Sequence, residues 1–270
     1  MKCRRCEDRG FYYDRSQPAQ ESRTLSLCDC VQRTCKCDGD APYQYFDEAG
    51  QPHWCPCRKY RLDMRKTERL LAQTNIPKKF QWRFLPDFRE RGPDNRLIKD
   101  AKRLKGYVSS LLDCLKNGQR ARGYFFWGEP GNGKTLLACI ALNELILWSG
   151  KQGQYIDLSF EYFQRLRSSF NQESEFHGRT AQIIEELSSV PYLVIDDFGV
   201  QRNTEWEKEM LYNLIDTRYA EERLTLITTN KNIDEVKELS AGRIYSRLLE
   251  MCHVVQVTAP DYRVRYEKAV

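Results

Sequence analysis

Residues 128–135 read GEPGNGKT, with the G-x-x-x-x-G-K-T spacing of a loop that wraps phosphate. Gly128, Gly131 and Gly133 let the backbone turn its N–H groups onto phosphate oxygens, and Glu129, Pro130 and Asn132 complete the wrap. The helix that follows, from Lys134 through Leu136 onward, adds its partial positive charge. Lys134 has the reach to meet the β and γ phosphates of a nucleoside triphosphate, and Thr135 can ligate its Mg²⁺. Further on, the apolar run PYLVIDDFG (191–199) ends in two carboxylates. Two acids at the end of a buried strand are costly unless they have work to do. Asp196 is placed to hold the metal through its shell, and Asp197 to orient or deprotonate an attacking water. Asn230, ending LTLITTN, could position that water or read the γ phosphate, although asparagine is also an ordinary turn residue.

A second chemistry belongs to sulfur. Eight of the eleven cysteines lie before residue 58, as Cys3/Cys6, Cys28/Cys30, Cys35/Cys37 and Cys55/Cys57. Two thiolates on one turn can take neighbouring corners of a tetrahedron, and a second such turn supplies the other two, as a structural Zn²⁺ requires. The stretch nearly repeats itself: a cysteine pair, an Asp/Gly turn, aromatic residues (Phe11, Tyr12 and Tyr13, then Tyr43, Tyr45 and Phe46) and a closing C-x-C. That is an internal duplication of a two-hairpin unit. One zinc on Cys3, Cys6, Cys28 and Cys30 and another on Cys35, Cys37, Cys55 and Cys57 is the expected arrangement. Interleaved pairing, an iron–sulfur cluster, a single filled site and reactive free thiols stay open. His53, in HWCPC, could replace a thiolate, but an exposed histidine beside a turn is commonplace. Four thiolates close the shell, so such a metal supplies fold and no chemistry.

The phosphate loop and paired acids must be positioned by a sheet. Strand-like segments at 123–127, 154–158, 192–196, 224–228 and 253–257 alternate with helical ones, which predicts a parallel sheet covered by helices. The first runs directly into the phosphate loop and the helix LLACIALNELIL, the context this motif requires. From Asn95 the apolar positions Leu97, Ala101, Leu104, Val108, Leu111, Leu112 and Leu115 keep helical spacing as far as Gly118. RKYRLDMRKTERLLA (58–72) reads as a basic helix, ordinarily a solvated face or linker, and 75–88 as an extended, aromatic-rich arm. The chain thus divides into a cysteine module at 1–57, a basic helix and arm at 58–94, and an α/β domain at 95–270. A net charge of +5 permits nucleic-acid contact without demanding it. The N-terminus has no apolar signal-like core, and no apolar run is long enough to span a bilayer, so a cytoplasmic chain without membrane partners is expected, where structural disulfides are rare.

GEPGNGKT, VIDDFG, ITTN and the later GRIYSRLLEMC, in this order and spacing, resemble the AAA+ ATPases of the DnaC/DnaI helicase-loader group, to which the transposition ATPase IstB is similar. The resemblance covers roughly residues 75–264, from IP..F....F..F in the arm to DYR at 261–263. The phosphate loop alone would not separate this group from other NTPases. The resemblance implies an AAA+ P-loop three-layer α/β domain with a five-stranded parallel sheet, preceded by a small zinc-binding domain. It implies ATP and Mg²⁺ as cofactors beside Zn²⁺, and an ATP-dependent oligomer in which each active site is completed by a neighbour. Arg247 matches the arginine finger and Arg243 is a neighbouring candidate; both could instead pair with surface acids. The group lacks a helical lid, so Arg263 has no assigned role. The implied partners are single-stranded DNA and the replicative hexameric helicase, the latter engaged by the zinc-binding domain. The duplicated cysteine pairs are more elaborate than the one zinc site of DnaI-type loaders, which makes transfer of that last role less secure.

The turn GVQRNTEWEKE (199–209) enters a helix with Thr204 as N-cap and Glu207 closing a capping box. The resemblance puts it on the inner surface of the assembly, where Trp206 could stack on an unpaired base and Arg202 and Thr204 could meet phosphates. Trp206 could equally pack into the helix interface. The expected function is an ATP-hydrolysing helicase loader for the initiation of DNA replication. The rivals are an IstB-like transposition ATPase and a zinc-containing adaptor that uses ATP as a switch. A small-molecule kinase is disfavoured by the paired acids, the ITTN strand end and the finger-like arginine, which suit water as the acceptor.

Overall fold

Short hairpins and tight turns, with little apolar core, organise the cysteine-rich residues. The computed structural model describes residues 3–14, 25–91, 98–158, 162–169, 178, 180–199, 204–239 and 242–259. The chain divides into two units, residues 1–72 with 147–150, and residues 73–146 with 151–270.

In the first unit, β1 (Phe11–Tyr13) pairs antiparallel with β2 (Leu25–Leu27), a single helical turn α1 (Asp29–Gln32) follows, and β3 (Gln44–Phe46) pairs antiparallel with β4 (Pro52–Trp54). Each repeat of the cysteine pattern carries one hairpin, where a two-hairpin unit is expected from the spacing. Each hairpin is entered after one cysteine pair and left into the next. Leu27, Val31, Tyr43, Cys55 and Cys57 form the small core between them. The basic helix α2 (Arg58–Ala72) is more than a solvated linker. Its Thr67 and Leu71 are buried, Glu68 accepts the N–H of Leu25 at 3.0 Å, and the guanidinium groups of Arg61 and Arg65 lie 5.6 and 5.4 Å from the ring centre of Tyr43. Gly10 (φ 81°) must be glycine, because a Cβ there would sit 2.2 Å from the ring of Tyr60.

The second unit begins with the arm, which, where an extended segment is expected, runs through tight turns at 78–82 and a short 3-10 helix at Leu85–Asp87. Thr74 accepts the N–H of Tyr155 at 2.8 Å, the Asn143 amide donates to the carbonyl of Arg83 at 2.8 Å, and Glu144 accepts the N–H of Leu85 at 2.8 Å. Then come α3 (Ala101–Lys116), β5 (Gly123–Trp127), α4 (Lys134–Ser149), β6 (Gly153–Asp157), α5 (Phe163–Ser168), α6 (Thr180–Ser189), β7 (Tyr192–Asp196), α7 (Glu205–Ala220), β8 (Leu224–Thr229), α8 (Ile233–Leu239), α9 (Arg243–Met251) and β9 (Cys252–Gln256). Helical spacing that sets in at Asn95 gives way to a helix beginning at Ala101. Asp100 is left-handed (φ 64°), which no right-handed helix can pass through, and residues 92–97 lie outside the described ones.

The five strands form one parallel sheet in the order β6-β7-β8-β5-β9. Every residue of β7 and β8 is buried, so helices cover both faces of the sheet, as its apolar runs require. The helix α4, buried on all sides from Leu137 to Leu142, anchors the phosphate loop in the core. A fully buried arginine ties the far end of the sheet together. Arg218 of α7 donates to the carbonyls of Leu187 (2.8 Å), Ser188 (3.3 Å), Val190 (2.8 Å) and Leu224 (2.8 Å) and to the hydroxyl of Thr225 (2.9 Å). Its charge meets the C-terminal carbonyls of α6, where a helix favours a cation.

Candidate functional site

The loop 128–133 leaves the carboxyl end of β5 and feeds α4, beside the ends of β7 and β8. Gly128, Gly131 and Gly133 all have positive φ, at 142°, 82° and 89°. A Cβ on Gly128 would lie 2.4 Å from the carbonyl oxygen of Val257, so the loop's first turn needs glycine. Asn132 fastens the loop to β9's exit by donating to that same carbonyl at 2.6 Å. Lys134 is almost fully buried, its ammonium donating to the carbonyls of Gly128 and Glu129 at 2.8 Å each and to Asn132 Oδ1 at 3.1 Å. A cation held at the loop's mouth by three oxygens is what an incoming polyphosphate would exchange for its own.

Asp196, at the end of β7, is 4% exposed and gathers hydroxyls. Thr135 Oγ1 donates to its Oδ1 at 3.0 Å, Thr228 Oγ1 donates to the same oxygen, and Tyr155 Oη donates to Oδ2 at 2.6 Å. Burial first, then the charge of Asp196, pushes the Tyr155 hydroxyl far above its usual pKa, so it remains a donor. Asp197 stands one residue past the strand in a left-handed turn (φ 54°), its N–H 3.3 Å from Thr228 Oγ1, and its carboxylate accepts the Asn230 amide at 3.3 Å. The two acids predicted from VIDDFG therefore point to different neighbours. Asp196 faces the phosphate loop, and Asp197 faces the strand end that carries Asn230.

A cavity of about 530 Å³ collects Gly131, Asn132, Lys134, Thr135, Leu136, Asp196, Asp197 and Asn230, a size that suits a nucleotide. Pro130 and Gly133 also line it. Sequence reasoning missed Pro77, Lys79 and Phe80 of the arm, and Tyr155 and Asp157 of β6, all of which line the same cavity. The string NIPKKF carries a signal for the first group. Nothing local marks Tyr155, which meets Asp196 only because β6 pairs with β7.

Arg247 is not among the residues lining the cavity. It lies on α9, where its guanidinium pairs with Asp216 at 2.6 Å, donates to Tyr212 Oη at 3.1 Å and sits 5.0 and 5.6 Å from the rings of Tyr212 and Tyr219. Arg243 is exposed at the start of the same helix, and Arg263 lies outside the described residues. Thr204 caps α7 as the sequence predicts, accepting the N–H of Glu207 at 3.2 Å, with the Glu207 carboxylate 3.4 Å from the Thr204 N–H. Trp206 is half-buried against the core, 6.2 Å from the ring of Phe163 and 5.9 Å from the Arg167 guanidinium, while Arg202 lies outside the described residues.

The eight N-terminal cysteines gather as two sets without interleaving: Cys3, Cys6, Cys28 and Cys30, and Cys35, Cys37, Cys55 and Cys57. Five Sγ–Sγ pairs lie 3.6 to 3.8 Å apart, and within each set all four sulfurs lie within 4.8 Å of one another. A tetrahedron of four Zn–S bonds of about 2.3 Å has edges of about 3.8 Å, so both donor sets fit that ion, and the spacing is too long for disulfides. Two sulfurs of the second set also accept N–H groups, while burial pushes the Cys28, Cys30, Cys37 and Cys57 thiols above their usual pKa. Lys36 N–H points at Cys55 Sγ (3.2 Å) and Arg61 Nε at Cys57 Sγ (3.3 Å). Against desolvation, the N–H groups of Lys36 and Cys57 hold Cys55 down to about 6. His53 is in neither set; it pairs with Asp47 at 2.7 Å and stacks on Tyr45 across its hairpin.

Comparison with known proteins agrees with this geometry. The chain is 32% identical over 125 residues to the replicative helicase loader DnaC of Escherichia coli (strain K12), covering 46% of this chain and 49% of that one, so the match spans about half of the relative. It is 25% identical to the phage-like element PBSX protein XkdC of Bacillus subtilis (strain 168), over 98% of this chain and 85% of that one. Among solved structures, a DnaC helicase loader superposes with a TM-score of 0.54 at 22% identity, covering 67% of this chain and all of the other, which establishes the AAA+ fold. No helix among the described residues is long and apolar enough to cross a membrane. Residues 58–269 match the model of the IstB-like ATP-binding proteins, and the chain belongs to that family, as a DnaC-like member with the AAA+ fold.

Proposed function

We propose that the chain is an ATP-hydrolysing helicase loader, which binds the replicative hexameric helicase and single-stranded DNA during the initiation of replication. The observation that carries the reading is the convergence of Lys134, Thr135, Asp196, Asp197 and Asn230 on one cavity, in a chain similar to a replicative helicase loader. In this reading Lys134 and the loop amides bind the β and γ phosphates of ATP, and Thr135 and Asp196 hold Mg²⁺, which neutralises the phosphate charge when bound. Asp197, kept at the strand end by Asn230, orients or deprotonates the attacking water. Arg247, outside its own chain's cavity, completes the site of a neighbouring subunit in an oligomer, for which it must leave Asp216.

Each cysteine set holds one Zn²⁺, and the rigid unit they build engages the helicase. The turn 199–209 contacts DNA through Arg202, Thr204 and the exposed edge of Trp206. The family match itself favours one second reading, an IstB-like ATPase that serves a transposase. Affinity purification of the full chain from its native cells separates the two. Retention of the replicative helicase in ATP supports the loader, retention of a transposase supports the second reading, and retention of neither overturns both.

A further inference from the structure

The carboxylate of Asp196 has two oxygens with unequal company. Oδ1 accepts from two threonines, Thr135 of the phosphate-loop helix and Thr228 of β8. Oδ2 accepts from Tyr155 Oη at 2.6 Å. Asp196 and Tyr155 are each 4% exposed, on the wall of the nucleotide cavity. The tyrosine is itself immobilised. Its main-chain N–H is bonded to the Thr74 carbonyl of the arm, and its strand is in register with β7, Tyr155 opposite Val194 and Asp157 opposite Asp196. The hydroxyl thus reaches to the neighbouring strand, two residues past its own partner Val194, to fix the rotation of a carboxylate whose other oxygen faces Thr135.

We propose that Tyr155 is a positioning residue for the metal side of this site: its hydroxyl holds the Asp196 carboxylate in the one orientation that keeps Oδ1 on Thr135, so that both present their oxygens to Mg²⁺ together. The proposal rests on the nucleotide-binding reading above and deepens it. Partners that orient a metal's ligands typically contribute 10- to 100-fold to metal affinity. Removing the hydroxyl therefore raises the Mg²⁺ requirement and leaves the phosphate-binding amides and Lys134 as they are.

The test is equilibrium binding of a fluorescent ATP analogue to the full chain and to Tyr155→Phe, in EDTA and across a Mg²⁺ titration, with thermal melting of both. The expected result is a half-saturating Mg²⁺ concentration about tenfold or more higher in the variant, affinity in EDTA within about twofold, and a retained cooperative melt. An unchanged Mg²⁺ requirement overturns the proposal, as does an equal loss of affinity in EDTA, which would make Tyr155 a wall of the pocket. A variant without a cooperative melt assigns Tyr155 to the fold and also overturns it. A wild-type chain whose nucleotide binding ignores Mg²⁺ would defeat the ATPase reading itself, before any variant is measured.

Discussion

Asp197 occupies a backbone conformation, φ 54°, that asparagine and aspartate adopt more readily than other side chains. Asp197→Asn therefore removes a charge without straining the turn. It should bind ATP as the wild type does and hydrolyse it at least about 10²-fold more slowly, the usual contribution of a positioned base. Equal turnover in a coupled phosphate-release assay would remove Asp197 from the water's path. At the other end of the sheet, Arg218→Met leaves five oxygens without their donor. Urea denaturation should show a loss of about 3 kcal/mol, and a loss below about 1 kcal/mol would mean that water or backbone shifts replace the guanidinium. The two residues differ in how far sequence could reach them. Asp197 is announced by the apolar strand and the neighbouring acid. Arg218 sits in an ordinary-looking helix, EWEKEMLYNLIDTRYA, and its burial is set by α6 and β8, which close over it in space. Tyr155 and Thr228 escaped for the same reason: a partner across a strand leaves no mark in the local pattern.

At the scale of elements, what a short segment decides alone was legible, and what a neighbour decides was not. The phosphate loop with its flanking strand and helix, the capping box at Thr204 and the twofold repeat of cysteine pair and hairpin are all written in contiguous residues. The anchoring of α2 is not, because Glu68 and Arg65 find Leu25 and Tyr43 only once the hairpins have formed. Those hairpins are three residues per strand and bury few apolar side chains, too little to order them unaided. Zinc in each cysteine set, as proposed, would supply the difference, on the order of 10 kcal/mol for a structural zinc. Purified protein is expected to carry one zinc per four-cysteine set by elemental analysis. Chelation should abolish the order of the cysteine-rich unit in proteolysis while the ATP-binding unit survives. Iron in the sample, or a metal-free chain whose N-terminal unit resists protease, would contradict this.

For the whole molecule, the position of Arg247 outside the cavity that holds Lys134 and Asp196 raises the question of what it serves. If it completes a neighbour's site, a Lys134→Ala chain that cannot bind ATP still offers a sound arginine. An Arg247→Ala chain still offers a sound pocket. Each alone should lose activity, by roughly 10³ to 10⁵ in rate for a missing finger, and mixing the two should restore part of it. Failure at every ratio, with assembly intact by light scattering, would leave Arg247 as a structural partner of Asp216. The sequence motif suggested the finger and left a surface acid as the alternative partner; in this chain Arg247 meets such an acid, Asp216, with Tyr212 beside it on α7, a helix that the local pattern around Arg247 does not name.

The most direct test of a loader is loading. Closed circular single-stranded DNA, the replicative helicase of the same cells and ATP are combined with the full chain, and helicase retained on the circle is counted after a high-salt wash. Retention that requires both the chain and ATP, and that disappears with Lys134→Ala, is the expected result. Helicase that reaches the circle equally well without the chain, or with the Lys134→Ala chain in its place, would contradict the assignment.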